Sequence, residues 1–164
     1  VREKKAHQFL IDTGVLSDVE VDARINVALE RYIKQVTLEA ETLADTISTL
    51  VVPAVERQLA VTGSAWKAVT DAGVAAKNSP YGTRVAATAK ALDDVLTGSA
   101  QLTALLDKLA GVHDELKHAQ ALGSEMRPLM QTVRDAADRL ESLVDDELWP
   151  LPKYREMLFT NSLS

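Results

Sequence analysis

The sequence contains no cysteine. Disulfides, thiolate zinc sites and a cysteine nucleophile are therefore excluded, and the composition suits a cytoplasmic chain. Aromatic residues are also scarce, with two Trp, three Tyr and two Phe making up 4% of the chain. Positive charge is the minority sign: Lys and Arg number 18 against 24 Asp and Glu, for a net charge of -6. No basic run is dense enough to mark a nucleic-acid or anionic-membrane surface. No uninterrupted apolar stretch approaches the ~20 residues that span a bilayer, and no signal peptide is visible. Glycine-rich phosphate loops are missing, and no His sits near a Ser or Asp in a nucleophile motif. No Gly/Ser linker, internal repeat or sustained period-two alternation occurs, which argues for one unit built without sheets.

What the sequence does contain is aliphatic helix. Apolar residues reach 46% and charged residues 26% of 164 positions, enough for one core. Much of the apolar share is Ala, Leu and Val, and Ala and Leu are among the best helix formers. A short helical pattern runs from Arg2 to Ile11, with Ala6, Phe9 and Leu10 as its apolar side, and Asp12-Thr13-Gly14 breaks it. Ser17-Asp18-Val19-Glu20 fits a capping box, with Ser17 accepting from the N–H three residues on and Glu20 reaching back. From Leu29 to Leu59 apolar residues recur at steps of three and four, which predicts one long helix. Pro53 interrupts it and predicts a kink near Leu50 with the stripe kept in phase. Thr62-Gly63-Ser64 reads as a stop and new cap, followed by an Ala-rich helix over 65–76 that buries Trp66, Val69 and Val74. Asn78 to Gly82 reads as a loop. A third long stripe runs from Val85 to Leu116, weakened but not cut at Gly98 and Gly111. Leu122-Gly123-Ser124 reads as a turn, with Pro128 in the first turn of a last helix that carries Met130, Val133, Ala137, Leu140, Val144 and Leu148.

The predicted fold is therefore all-α: an elongated antiparallel bundle of three long helices plus shorter ones, with an extended, proline-containing C-terminal strap. Its expected divisions are a short helix over 1–13, long helices over 17–122, a last helix over 124–149 and a tail over 150–164, all in one helical domain.

Few residue constellations carry chemistry. Glu115 and His118 form one Glu-x-x-His step, the spacing of di-iron carboxylate bundles. Such a site needs two steps and two further inward Glu residues, and Lys117 beside this one marks a solvated face. The pairs Asp93-Asp94 and Asp145-Asp146 are sequence neighbours, so their side chains diverge on a helix. No catalytic, cofactor-binding or metal-binding residue is expected in this chain.

The exception to this blandness is LVDDELWPLPKYREMLF, from Leu143 to Phe159. Pro150 and Pro152 force an extended path, and Trp149, Leu151, Tyr154, Met157, Leu158 and Phe159 are the anchor candidates along it. Such a strap either folds back to seal the open end of the bundle or docks on another domain or subunit, where Trp, Tyr and Arg are favoured anchors.

This stretch, together with GVLSDVEVDARINVALERYIKQVTLEAETLADTISTLVVPAVERQL over Gly14 to Leu59, resembles the C-terminal region of type III glutamine synthetases. The matching elements are Val15-Leu16-Ser17 at a helix start, Tyr32 on the helix, Leu38-Glu39-Ala40, and Val52-Pro53-Ala54. The Ala-rich part from Trp66 to Leu122 is generic. A start on Val1 rather than Met reads as a cut inside a longer polypeptide. The resemblance implies a parent enzyme that ligates ammonia to glutamate with ATP and a divalent cation such as magnesium, as a ring-shaped homo-oligomer. It also implies that the catalytic domains lie upstream, so no catalytic residue is carried over. This fragment, inactive alone, would pack on the catalytic domain and on neighbouring subunits, with no nucleic acid or membrane partner. The competing expectation is a free-standing helical interaction module outside nitrogen metabolism, with a metal-dependent bundle enzyme a distant third.

Overall fold

The computed structural model describes residues 9–74, 79–153 and Glu156. Residues 9–12 are helical and end in a left-handed Gly14 at φ 68°. Then come α1 (Asp18–Thr46), a π turn (Ile47–Val51), α2 (Val52–Asp71), α3 (Pro80–Ala110), α4 (Glu115–Ala121), a second π turn (Leu122–Met126) and α5 (Arg127–Glu141). Helix passes unbroken from Asp18 to Asp71 and again from Glu115 to Glu141, so three long rods make an all-α bundle. The first rod measures roughly 80 Å at 1.5 Å per residue.

The rods run antiparallel. From one end of α3 to the other, Arg84 meets Leu143 just past α5, Asp94 meets Arg139 on α5, and Lys108 meets Glu125 in the second π turn. Two buried clusters hold them together. One joins Ile47, Val51 and Val55 to Ala91, Val95, Val133 and Leu140. The other joins Val36 and Ala40 to Leu102, Leu109, Leu122 and Met126. Each helix buries one aliphatic stripe, and this burial rather than intrinsic propensity stabilises the rods.

The Pro53 break is resolved as a widened turn. The Val52 N–H bonds the Ile47 carbonyl, five residues back. Proline has no N–H to give, and in a regular helix its ring meets the carbonyl four residues earlier. One extra residue in the preceding turn relieves that clash and lets Ile47 and Val51 both reach the core. Pro128 repeats the arrangement: the Arg127 N–H bonds the Leu122 carbonyl, and Leu122 and Met126 are both buried.

Several expected boundaries are corrected. Gly63 does not stop the helix: its φ is not positive, and the Tyr81 hydroxyl donates to the Thr62 carbonyl at 3.1 Å, packing the region. The stop is Gly73 at φ 70°, where Gly73 N–H bonds Thr70 and Val74 N–H bonds Val69, a Schellman ending. Val74, expected inside, is exposed, as is Phe9. Ser79-Pro80 starts a helix instead of continuing a loop, because Ser79 Oγ accepts from the Gly82 N–H and proline fits the first helical position. Gly111 does end α3, and Asp114 caps a new helix by accepting from the Lys117 N–H. Leu122-Gly123-Ser124 is helical, within the second π turn. The last helix ends at Glu141 rather than near Leu148, leaving Val144 and Leu148 on tight turns.

Candidate functional site: the C-terminal strap

Beyond Glu141 the chain makes two successive turns. Leu143 and Val144 N–H groups bond the Leu140 carbonyl; Leu148 and Trp149 N–H groups bond the Asp145 carbonyl. Asp145 also accepts from the Glu147 N–H at 2.8 Å, so its short side chain fixes the second turn. Pro150 and Pro152 then keep the path extended.

This geometry lays the strap on the bundle's own core. Trp149 is only 8% exposed and joins the cluster of Val51, Val55 and Val95, with Leu148 and Leu151 packed partly buried against it. Three polar ties hold the path. Gln58, buried on α2, accepts from the Asp145 N–H at 3.0 Å. Arg84 on α3 donates to the Leu143 carbonyl at 3.1 Å. Lys153 donates to the Glu141 carbonyl at 3.2 Å and pairs with Asp146. The Trp149 indole N–H is buried and meets no acceptor. Tyr154, Met157, Leu158 and Phe159 lie outside the described residues.

None of the three ties was flagged in the sequence. Gln58 alone leaves a trace, as a polar residue one step along the apolar stripe of Val51 and Val55. Arg84 and Lys153 leave none.

Elsewhere the chemistry is sparse. At the start of α1, Ser17 and Glu20 form the reciprocal box: Glu20 Oε2 accepts from the Ser17 N–H at 2.8 Å, and Ser17 Oγ accepts from the Glu20 N–H at 3.3 Å. The Ser17 N–H and hydroxyl hold the Glu20 carboxyl below its ordinary range. Glu30 is lowered likewise, by the Lys34 ammonium. Trp66 stands edge-on to Tyr81 with ring centroids 5.7 Å apart, and with Thr70, Gly82, Val85 and Ala86 it lines an open groove of about 470 Å³.

Two proteins are similar along nearly the whole chain. A type-3 glutamine synthetase of Dictyostelium discoideum is 27% identical over 97% of this chain, and a glutamine synthetase of Bacteroides fragilis (strain YCH46) is 25% identical over 96%. Residues 1–67 match the family model of the glutamine synthetase C-terminal domain. The chain is similar to the C-terminal region of type III glutamine synthetases. It spans 22% of the length of both relatives. The family match covers α1, the first π turn and most of α2, and the pairwise similarity brings in the strap.

The described residues offer no donor set for the divalent cation implied for a glutamine synthetase. Among the described residues no group of three or more His, Asp or Glu could hold a metal. Asp94 is tied to Lys90 and Arg139, and Asp146 to Lys153. His113 and His118 stand near Asp114, whose carboxylate is used as a helix cap. No described helix is long and apolar enough to cross a membrane.

Proposed function

We propose that this chain is the non-catalytic C-terminal helical domain, over 1–164, of a type III glutamine synthetase. In that reading the remaining polypeptide ligates ammonia to glutamate with ATP and magnesium in the cytoplasm. The helical domain packs on that catalytic part and on neighbouring subunits of a homo-oligomer. One observation carries the reading: similarity extends over 97% of this chain but 22% of the relative. The role assigned to the chain's own residues is mechanical. Long rods with aliphatic stripes make a stiff body, and the strap closes one end of its core.

The test compares two polypeptides in one assay containing glutamate, ammonia, ATP and magnesium. The protein expressed from the complete reading frame should form glutamine, and the 164-residue chain alone should not. Glutamine formed by the chain alone, or a reading frame with no catalytic domain ahead of Val1, overturns the proposal.

A further inference from the structure

The first three turns of α1 are aliphatic on two opposite sides. Val21, Ile25 and Leu29 face inward, Val21 buried and the others half-buried. Val19, Ala23 and Val27 repeat at the same four-residue step on the other side, with Val19 78% and Val27 64% exposed. At about 100° per residue the two stripes centre roughly 160° apart. Beyond Val27 the exposed Glu30–Lys34 ion pair occupies the same side and ends the outer stripe. A helix that only covers its own domain needs one apolar side. Single exposed aliphatics are ordinary, but a repeated stripe marks a contact. This part of the rod belongs to neither buried cluster. It falls within residues 1–67, which carry the family match, and the matched relatives hold most of their length beyond this chain.

Resting on the function proposed above, we propose that the Val19–Ala23–Val27 stripe is the seat on which the rest of the longer polypeptide packs. Arg24 and Arg31 border one side of the stripe, together with Glu20, whose carboxylate feels the Arg24 charge. The matching surface is therefore aliphatic.

Because this chain has no cysteine, single-cysteine variants read the stripe directly. Val19→Cys, Val27→Cys and a control, Gln101→Cys on the exposed surface of α3, are labelled with a maleimide. Labelling is done in the chain alone and in the complete polypeptide, and the rate is read peptide by peptide by mass spectrometry. The two stripe positions should react at least tenfold more slowly in the complete polypeptide, with the control unchanged. Equal rates at the stripe, with the catalytic part present, overturn this inference and leave the proposed function standing. Absence of any catalytic part overturns both. Stripe labelling that slows with rising concentration of the chain alone assigns the surface to a second copy and overturns the inference as well.

Discussion

A methyl group of Val133 fills the space where a side chain at Gly98 would begin: a Cβ built on Gly98 stands 2.7 Å from Val133 Cγ2. Gly98 is buried on α3, and Val133 on α5 is 1% exposed. The pair sets how closely those two rods approach. Gly98→Ala gains up to about 1 kcal/mol of helix propensity. Overpacking at a stiff, β-branched neighbour costs about 1–3 kcal/mol. The net expectation is a loss of about 1 kcal/mol and a melting temperature lower by ~2–4 °C. Adding Val133→Ala should make the alanine at 98 favourable relative to glycine. A double-mutant cycle by thermal melting checks this, and additive effects would contradict it.

Trp149 anchors the strap through its ring rather than its N–H. The indole nitrogen is buried without an acceptor, and an unmatched donor costs about 1–3 kcal/mol. Trp149→Ala should lose about 3–5 kcal/mol. Trp149→Phe removes the orphan donor while keeping an aromatic ring, so its loss should stay under about 1.5 kcal/mol. Ending the chain after Asp146 removes Trp149 and Lys153 together and should cost at least as much as the alanine variant. Urea denaturation of the three variants supplies the ranking; equal losses for Phe and Ala would show that the N–H matters.

The Gln58 carbonyl oxygen holds the strap's first turn. Gln58→Leu keeps the apolar contacts but leaves the Asp145 N–H without its partner, at a cost of about 1–2 kcal/mol. Amide exchange at Asp145 through Trp149 should accelerate about tenfold per 1.4 kcal/mol. Exchange on α3 at Leu102 should change far less. Unchanged exchange in the strap would mean that Arg84 and Lys153 suffice.

These ties also show where the sequence could be read and where it could not. The three long rods were legible because an aliphatic step of three or four repeats over many turns, and noise at single positions averages out. The Ser17 box was legible because all its atoms lie within one turn. The strap's partners were not: Gln58 bonds a residue 87 positions away, and Arg84 one 59 positions away. No local pattern encodes such a meeting. Gly63 and Gly73 show the same limit, since both are glycines near an expected helix end. Only packing around Thr62 and Tyr81 selects the second as the stop. Pro53 marked the site of the first π turn, but the sequence does not distinguish a kink from an added residue; Pro128 reads as a helix start, and the second π turn inside a continuous helix was not legible.

The first π turn yields its own test. If the turn holds one residue beyond a regular helix, deleting exposed Thr49 returns the ladder to α spacing with both flanks in phase. Pro53 would then clash, so the deletion is paired with Pro53→Ala. This combined variant should fall within about 1 kcal/mol of the parent chain. Deleting exposed Gln35 from regular α1 rotates one flank by about 100° and carries Val36 and Ala40, both buried, off the core. It should lose several kcal/mol. Comparable damage from both deletions, by urea midpoint, would refute the single-residue account.

The capping box predicts a pH response confined to the start of α1. Bonds from the Ser17 N–H and hydroxyl favour the charged Glu20 carboxylate and hold its titration below the ordinary value of about 4.3. A carboxyl depressed in the folded state contributes its full stabilisation above the unfolded value and loses it as pH falls through the folded one. Fraying at Ser17 to Glu20 should therefore begin below about pH 5 and be complete only under the ordinary carboxylate range. Glu20→Gln keeps a carbonyl acceptor for the Ser17 N–H but cannot titrate, so the same amides should respond little to pH. Ser17→Ala, which leaves the Glu20 N–H uncapped, should cost about 1 kcal/mol at neutral pH. Amide shifts and exchange of Ser17 and Glu20, followed by NMR from pH 7 to 3, separate these cases. An identical acid response in Glu20→Gln would assign the fraying to another carboxylate.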